Sequence, residues 1–491
     1  MKKSNYKITA IAFVVLLFIS GCNYLSDFGD TNVNPAVTST PNTAALLTNV
    51  MSGFGNYSTA YAPALYCQFF SETQYPDVSC YSTNSASPQG VYSGHLYDLQ
   101  NIILTNTNAE TKDVASLNGA NANQIAIARI LKAYIFWTIT DRWGDIPYFN
   151  ALNGDPNASY SRQELIYKDL IKELTEANAQ FVTGAAIKGD LAYSGDIAKW
   201  KKLSNSMRML MALRLSKQYP SASGYAATEF KAALADAAGS ISTNADNFTL
   251  VYPGGNFKNQ YFTMYDGRRD YGESQTMTRL LVDTLGGDAR SAVYGADLNG
   301  NPSTLGVPYG RVRGFIDPWC GQNPTWAYVF APAYRTATSP LFIVKASGVL
   351  LARAEAAQLS WTTENVNTLY VAGIKASYNQ WGLADPATTY LSGTKVALPG
   401  TNNGNLRFIR LQQYIAYFPD GIQGWANWRR TNVPLLTPAP DATNNPKVIP
   451  RRYMYGSTDL SLTPDSVKSA IIRQWGAEDK NLMDQKVWWD K

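Results

Sequence analysis

Residues Gln124–Thr140, QIAIARILKAYIFWTIT, place Ile127, Ile130, Leu131, Tyr134, Ile135, Thr138 and Ile139 at intervals of three and four. That spacing gives a helix with one core-facing stripe. The residues that follow, Asp141-Arg142-Trp143-Gly144-Asp145-Ile146-Pro147-Tyr148, read as its end. Gly144 can take the left-handed cap, Pro147 forbids continuation, and Arg142 can pair with either acid. Two carboxylates four apart also suit acid/base work, but cap chemistry accounts for nearly every residue here.

Outward from this helix the signals come in pairs. Ser161 with Glu164 reads as a capping box ahead of Ile166, Leu170, Leu174 and Ala177. Asp196 caps a third helix bearing Trp200, Leu203, Met207, Leu210 and Met211, and Tyr225–Ala238 reads as its partner. Leu341–Leu359 and Val366–Trp381 form another pair, with Gly382 placed to end it, and Thr463-Pro464 opens a helix that stops around Gly476. The expected fold is mostly α, with tetratricopeptide-like helical pairs carrying a large loop-rich ligand-binding face. No clean 34-residue consensus repeats along the chain. The long stretches Asn32–Asn121, Thr243–Thr338 and Leu391–Pro450 lack helical period and hold most of the Gly, Pro, Asn and Tyr. Loops of that length in a compact protein are usually functional.

The amino terminus is an address. Lys2, Lys3 and Lys7 precede an apolar run, Ile8–Ile19, and Ser20-Gly21-Cys22 follow. The run is too short to span a membrane and reads as the h-region of a secretory signal over residues 1–21. Ile19-Ser20-Gly21-Cys22 resembles a bacterial lipobox, in which the Cys22 thiol receives the lipid; an ordinary signal with a chance cysteine is the competing reading. Residues 22–491 then form a single domain, with helical pairs over roughly 122–240 and 340–382 and a loop-rich face over roughly 32–121 and 243–338.

Composition excludes several functions. The 491 residues carry a formal charge of +5, and without the three amino-terminal lysines 39 basic side chains face 37 acidic ones. A nucleic-acid partner relying on counterion release finds no basic excess there. His95 is the only histidine, so no site can use two imidazoles. No cofactor and no metal site is expected. Cys67, Cys80 and Cys320 remain; Cys67 with Cys80 is the local disulfide candidate, and buried free thiols fit equally well.

The 31 Tyr and 12 Trp outnumber 18 Phe, which suits either a surface for polar, ring-shaped ligands or a large fold that keeps amphipathic rings at its boundary. Rings in the loop stretches lie beside Asn, Asp and Arg, as sugar recognition requires: a pyranose C–H face rests on a ring while fixed donors and acceptors take its hydroxyls. The alternative is that they serve as local cores. The binding face is placed on residues 68–95, 252–275 and 309–334, with Tyr75, Tyr81, Tyr92, Tyr261, Tyr265, Asp266, Arg268, Trp319, Asn323 and Trp326 as ligand contacts. Trp319 and Trp326 lead, in a loop stiffened by Pro318 and Pro324. Asp266, Asp270 and Glu273 are the acids available to a surface glycoside hydrolase, which needs two set across the scissile bond. Glu355 reads as an inter-helix salt bridge with an Arg, and the doublets Arg429-Arg430 and Arg451-Arg452 as cations over rings inside the fold.

Taken with the lipobox, the segments DRWGDIPYFNAL (141–152), GDIAKWKKLSNSMRMLMALRLSK (195–217), GWANWRRTNVPLL (424–436), IPRR (449–452) and KVWWDK (486–491) resemble the SusD/RagB-like family of Bacteroidetes surface lipoproteins, in its second SusD-like branch. The resemblance runs from Cys22 to Lys491. It implies a helical body with tetratricopeptide-like units, an outer-membrane lipid anchor facing outward, and no catalytic residues. It also implies a SusC-like TonB-dependent transporter as partner, to which glycans, or in some members peptides, are delivered. Replacing Cys22→Ala is expected to leave the precursor uncleaved or release the protein from membranes, checked by fractionation; unchanged mature protein in the outer membrane would overturn the lipobox reading.

Overall fold

A computed structural model describes residues 41–155 and 158–491 of the chain; the signal segment and Cys22 lie outside the described residues. The longer helices are α1 (Thr43–Gly53), α2 (Tyr97–Thr107), α3 (Asn121–Trp143), α4 (Gln163–Gln180), α5 (Ile197–Arg214), α6 (Tyr225–Leu234), α7 (Arg313–Gln322), α8 (Ala346–Gln358), α9 (Val366–Asn379), α10 (Asn402–Tyr417), α11 (Gly421–Thr431) and α12 (Pro464–Trp475). Neighbours in the chain pack on one another from α1 with α2 through α5 with α6, and α8 packs on α5, α9 and α10. This is the mostly helical, tetratricopeptide-like stacking expected. Among the described residues no helix is long and apolar enough to cross a membrane.

Helix α3 is buried along its second half on every side, not along one stripe. It ends where expected, at Gly144 with φ +86°, whose N–H donates to Thr140 O at 2.8 Å. The dihedral favours glycine, and a Cβ there would lie 2.1 Å from Gln474 Oε1 and displace that side chain.

The capping box expected at Ser161 and Glu164 is absent. Ser161 pairs with Ile146 in a short antiparallel bridge, and Glu164 instead binds Lys168. The Gln163 N–H at the start of α4 donates to Asp145 Oδ1 at 2.9 Å, so a carboxylate from the end of α3 satisfies that helix terminus. Asp145 in turn accepts from Arg473 Nε at 2.8 Å. Arg142 pairs with neither acid: its Nε donates to Thr138 O and its guanidinium lies over Trp143. Asp196 does cap α5, accepting from the Lys199 N–H at 3.2 Å.

Further on, Leu341–Val344 is a strand, β4, antiparallel to β2 (Phe248–Leu250), and α8 begins only at Ala346. The LFIV sequence is branched and aromatic, which favours the extended chain over the first turn of a helix. Helices α10 and α11 fill a stretch whose sequence shows no helical period, and α1 and α2 fill another. In α11 every residue from Gly421 to Arg430 is buried, Gln423, Asn427, Arg429 and Arg430 together with Ile422, Trp425, Ala426 and Trp428, so polar side chains share the core with apolar ones.

Of these polar groups, Arg430 is ion-paired in place. Glu355 of α8 is fully buried and accepts from Arg430 Nη1 and Nη2 at 2.8 and 2.7 Å, Arg410 Nε at 2.7 Å and Gln413 Nε2 at 2.9 Å. Burial pushes its carboxyl up, but the two arginines outweigh that and hold it well below the usual range. This is the expected inter-helix salt bridge; Arg353 pairs elsewhere, with Glu364. A second network gathers on Asp141. Its carboxylate accepts from Tyr167 OH, from Trp489 Nε1 at 2.7 Å and from Arg214 Nη1 at 3.0 Å. Arg429 donates to Asp141 O at 2.8 Å and stacks on Trp425 with its Cζ 3.7 Å from the ring centroid. Asp490 binds Arg451 and Lys217, and Arg452 lies over Trp475. Both basic doublets are thus inside the fold. Cys67, Cys80 and Cys320 are free thiols.

Removing one partner of a buried ion cluster strands the other charge. Arg430→Met is expected to destabilise the protein by about 3 to 5 kcal/mol in urea unfolding, with part of the loss recovered in Glu355→Gln/Arg430→Met. Equal stability of wild type and single variant would overturn the assignment.

Candidate functional site

The loop face is built on a two-stranded sheet. Strand β1 (Phe70–Glu72) runs antiparallel to β3 (Tyr271–Glu273), with Phe70 opposite Glu273 and Glu72 opposite Tyr271. Beyond the strands the two chains stay together, the Thr73 N–H donating to Asp270 O at 2.9 Å. A small separate core of Val307, Ile316, Trp326 and Tyr328 packs behind them. Gly272 makes room for it, because a Cβ there would stand 2.5 Å from Val307 and 2.9 Å from Trp326.

Three segments distant in sequence converge at Tyr75. Its ring is 55% exposed, and the guanidinium carbons of Arg268 and Arg313 lie 5.7 and 5.5 Å from its centroid. Arg268 Nε donates to Asp270 Oδ2 at 2.6 Å. Tyr265 joins the 258–271 segment to the third: its hydroxyl donates to Tyr271 O at 2.9 Å and accepts from the Val329 N–H at 2.8 Å. Arg335 lies over the same ring at 4.3 Å.

The third segment departs from expectation. Residues 313–322 form helix α7, with Pro318 inside it, and not a proline-stiffened loop. Only Ile316 of α7 is buried. Phe315 and Trp319 stand four residues apart and so share one side of the helix. Phe315 is 38% exposed under the Arg311 guanidinium, and Trp319 is half-buried against the small core. Asn323 ends the helix, its Nδ2 donating to Trp319 O at 2.8 Å. Asp266 is exposed, 3.9 Å from Lys258 Nζ.

Four expected contacts are not on this face. Tyr81 is buried, its ring against Tyr66 and Tyr309 and its hydroxyl accepting from the Ala439 N–H. Tyr261 is buried on Phe70 and Phe330, with its hydroxyl on Pro419 O. Trp326 is buried and stacks on Tyr328 at 3.8 Å, and Tyr92 packs on Phe136 and donates to Pro147 O. Rings as enclosed as Tyr81, Tyr261 and Trp326 cannot offer a face to a sugar, while Tyr92 is half-buried with its hydroxyl committed to Pro147 O. Sequence reading passed over Arg313 and Phe315, whose signal was a basic residue and a ring two apart at a helix start. It also passed over a cleft of about 450 Å³ walled by Gln68, Gln275, Arg279, Tyr309 and the proline-rich run Pro434–Pro440.

The acids near this face differ sharply. Glu273 is wholly buried with neither oxygen hydrogen-bonded, so desolvation pushes it well above the usual carboxylate range and it cannot reach a ligand. Glu72 Oε2 accepts from the Ser79 N–H at 2.7 Å and so closes the loop that carries Tyr75. Burial lifts Glu72 to about 7 against the pull of that bond. Its folded value lies above that of an exposed glutamate, so the native state holds the extra proton and stability is lost as pH rises through about 7. Urea unfolding of wild type is expected to lose on the order of 3 kcal/mol more than Glu72→Gln between about pH 5 and pH 8. Parallel pH profiles would overturn this role for Glu72.

Residues 35–456 match the family model SusD-like_2, described as starch-binding associating with outer membrane. Among solved structures, a chitin-binding protein is 26% identical, with 91% of this chain and 100% of that chain covered and a TM-score of 0.74. A SusD homolog from Bacteroides uniformis is 21% identical over 92% of this chain and 98% of its own, TM-score 0.74. A chitin-binding SusD homolog from Flavobacterium johnsoniae is 21% identical over 91% and 98%, TM-score 0.74. No curated protein matches.

Proposed function

Because the chain belongs to the SusD-like family of outer-membrane, starch-binding-associated proteins, we propose that it is a cell-surface lipoprotein, anchored through Cys22, that binds extracellular glycan on the Tyr75–Trp319 face. It acts without catalysis and passes the glycan to a SusC-like TonB-dependent transporter. The observation that carries this reading is the meeting of three distant loop segments on exposed and half-buried rings flanked by arginines and carboxylates. A rigid helical body under such loops limits the ordering cost of binding. Of the three acids named for hydrolysis, Glu273 is sealed inside the fold and Asp270 is committed to Arg268, which leaves the exposed Asp266 without a second free carboxylate from that set. Two structural relatives carry chitin binding in their names, which makes chitooligosaccharides the first ligands to try.

In titration calorimetry against chitooligosaccharides, maltooligosaccharides and a wider glycan panel, Trp319→Ala should weaken the best ligand by roughly 1 to 3 kcal/mol, by analogy with base stacking on aromatic side chains. Circular dichroism should show the fold retained. Wild-type affinity in Trp319→Ala and Tyr75→Ala together would remove the site from this face.

A further inference from the structure

The arginines around Tyr75 carry the reading further. Two guanidinium groups lie within 6 Å of one exposed ring, and only Arg268 has a carboxylate in contact, through a single nitrogen. Arg313, exposed at the start of α7, forms no ion pair among the described residues, and neither does the exposed Arg269 beside Arg268. Of the nearby acids, Asp266 faces Lys258 and Asp441 holds Arg311, whereas Asp77 and Asp317 make no ion pair among the described residues and set their own negative charge beside the arginines. What favours an anion here is therefore the geometry of the two guanidinium groups and not a net positive charge. Arg313 has no carboxylate in contact and Arg268 keeps nitrogens that Asp270 does not use, so both can still take an anion beside the ring. The planar fork of a guanidinium also matches a carboxylate with two parallel bonds, a match that a sugar hydroxyl lacks. Cations set on the Tyr75 ring leave less of its surface for a neutral pyranose, whereas an acidic sugar meets ring and cations together.

We propose that the glycan bound here is acidic, a uronate-containing oligosaccharide whose carboxylate is held between Arg268 and Arg313 beside Tyr75. This rests on the glycan-binding reading above and narrows its ligand class; the neutral contacts are left to Trp319 and Phe315. The mature chain would be titrated with a galacturonate tetramer, a glucuronate-containing tetramer, the methyl ester of the galacturonate tetramer and chitotetraose, each at low and high sodium chloride. At least one free acid should bind about tenfold tighter than the ester and chitotetraose, a margin typical of one charge-assisted contact. That advantage should shrink with salt and disappear in Arg313→Gln and Arg268→Gln, whose circular dichroism should match wild type. The inference is overturned if neither acid binds more tightly than the neutral ligands, or if Arg313→Gln and Arg268→Gln keep the full preference. Neutral binding that Tyr75→Ala abolishes would then leave the glycan-binding reading standing, whereas failure of all four ligands and of the wider panel would remove both.

Discussion

Asp141 is a carboxylate with no access to water, and the rest of the body is arranged so that it need not have any. Burying such a charge costs several kcal/mol unless donors replace its hydration. Here a tyrosine, a tryptophan and an arginine from three elements do so, and Arg429 adds a bond to the backbone carbonyl of the same residue. Each donor comes from a different part of the chain, so satisfying one charge fixes α3, α4, α5, α11 and the terminal turn against each other. The segments that carry the family resemblance are the pieces of this and the neighbouring Asp145 and Asp490 clusters. Their chemistry is structural: they hold a scaffold, and the proposed ligand face lies elsewhere.

That face inherits its rigidity at one remove. Strands β1 and β3 are only three residues each, yet they are continuous with Phe69 and Phe70, which are packed into the main core against Tyr414 and Phe418. On the outer side, the small core behind Trp319 and the two-way hydroxyl of Tyr265 tie the remaining segments to the same sheet. The loops can therefore vary at their tips while their roots stay fixed, as binding loops on a scaffold do.

How much of this the sequence discloses depends on what each helix buries. Helices α3, α5, α9 and α12 carry apolar side chains at helical spacing and are legible, with Asp196 and the Thr463-Pro464 pair marking the starts of α5 and α12. Helices α10 and α11 bury Gln412, Gln413, Gln423, Asn427, Arg429 and Arg430 among apolar residues such as Leu406, Ile409, Ile422 and Trp425, so buried polar side chains interrupt the apolar pattern and blur it. The same limit governs the rings. Tyr75 and Tyr81 are alike in a sequence, six positions apart on one loop, but the turn between them sends one outward and the other onto Tyr66 and Tyr309. The convergence of Tyr75, Arg268 and Arg313 depends on a strand pairing across some two hundred residues, which no local pattern encodes.

The bond from Trp489 to Asp141 joins positions 348 residues apart. As the chain folds, α3 and α5 can form early, but they then face each other across an acid that still lacks its tryptophan donor. Closure of this network waits on residues near 490, and contacts of such separation close slowly. Until then the apolar surface of the helices already formed stays open to aggregation. The interaction that makes the finished protein rigid is therefore also one that its folding completes late.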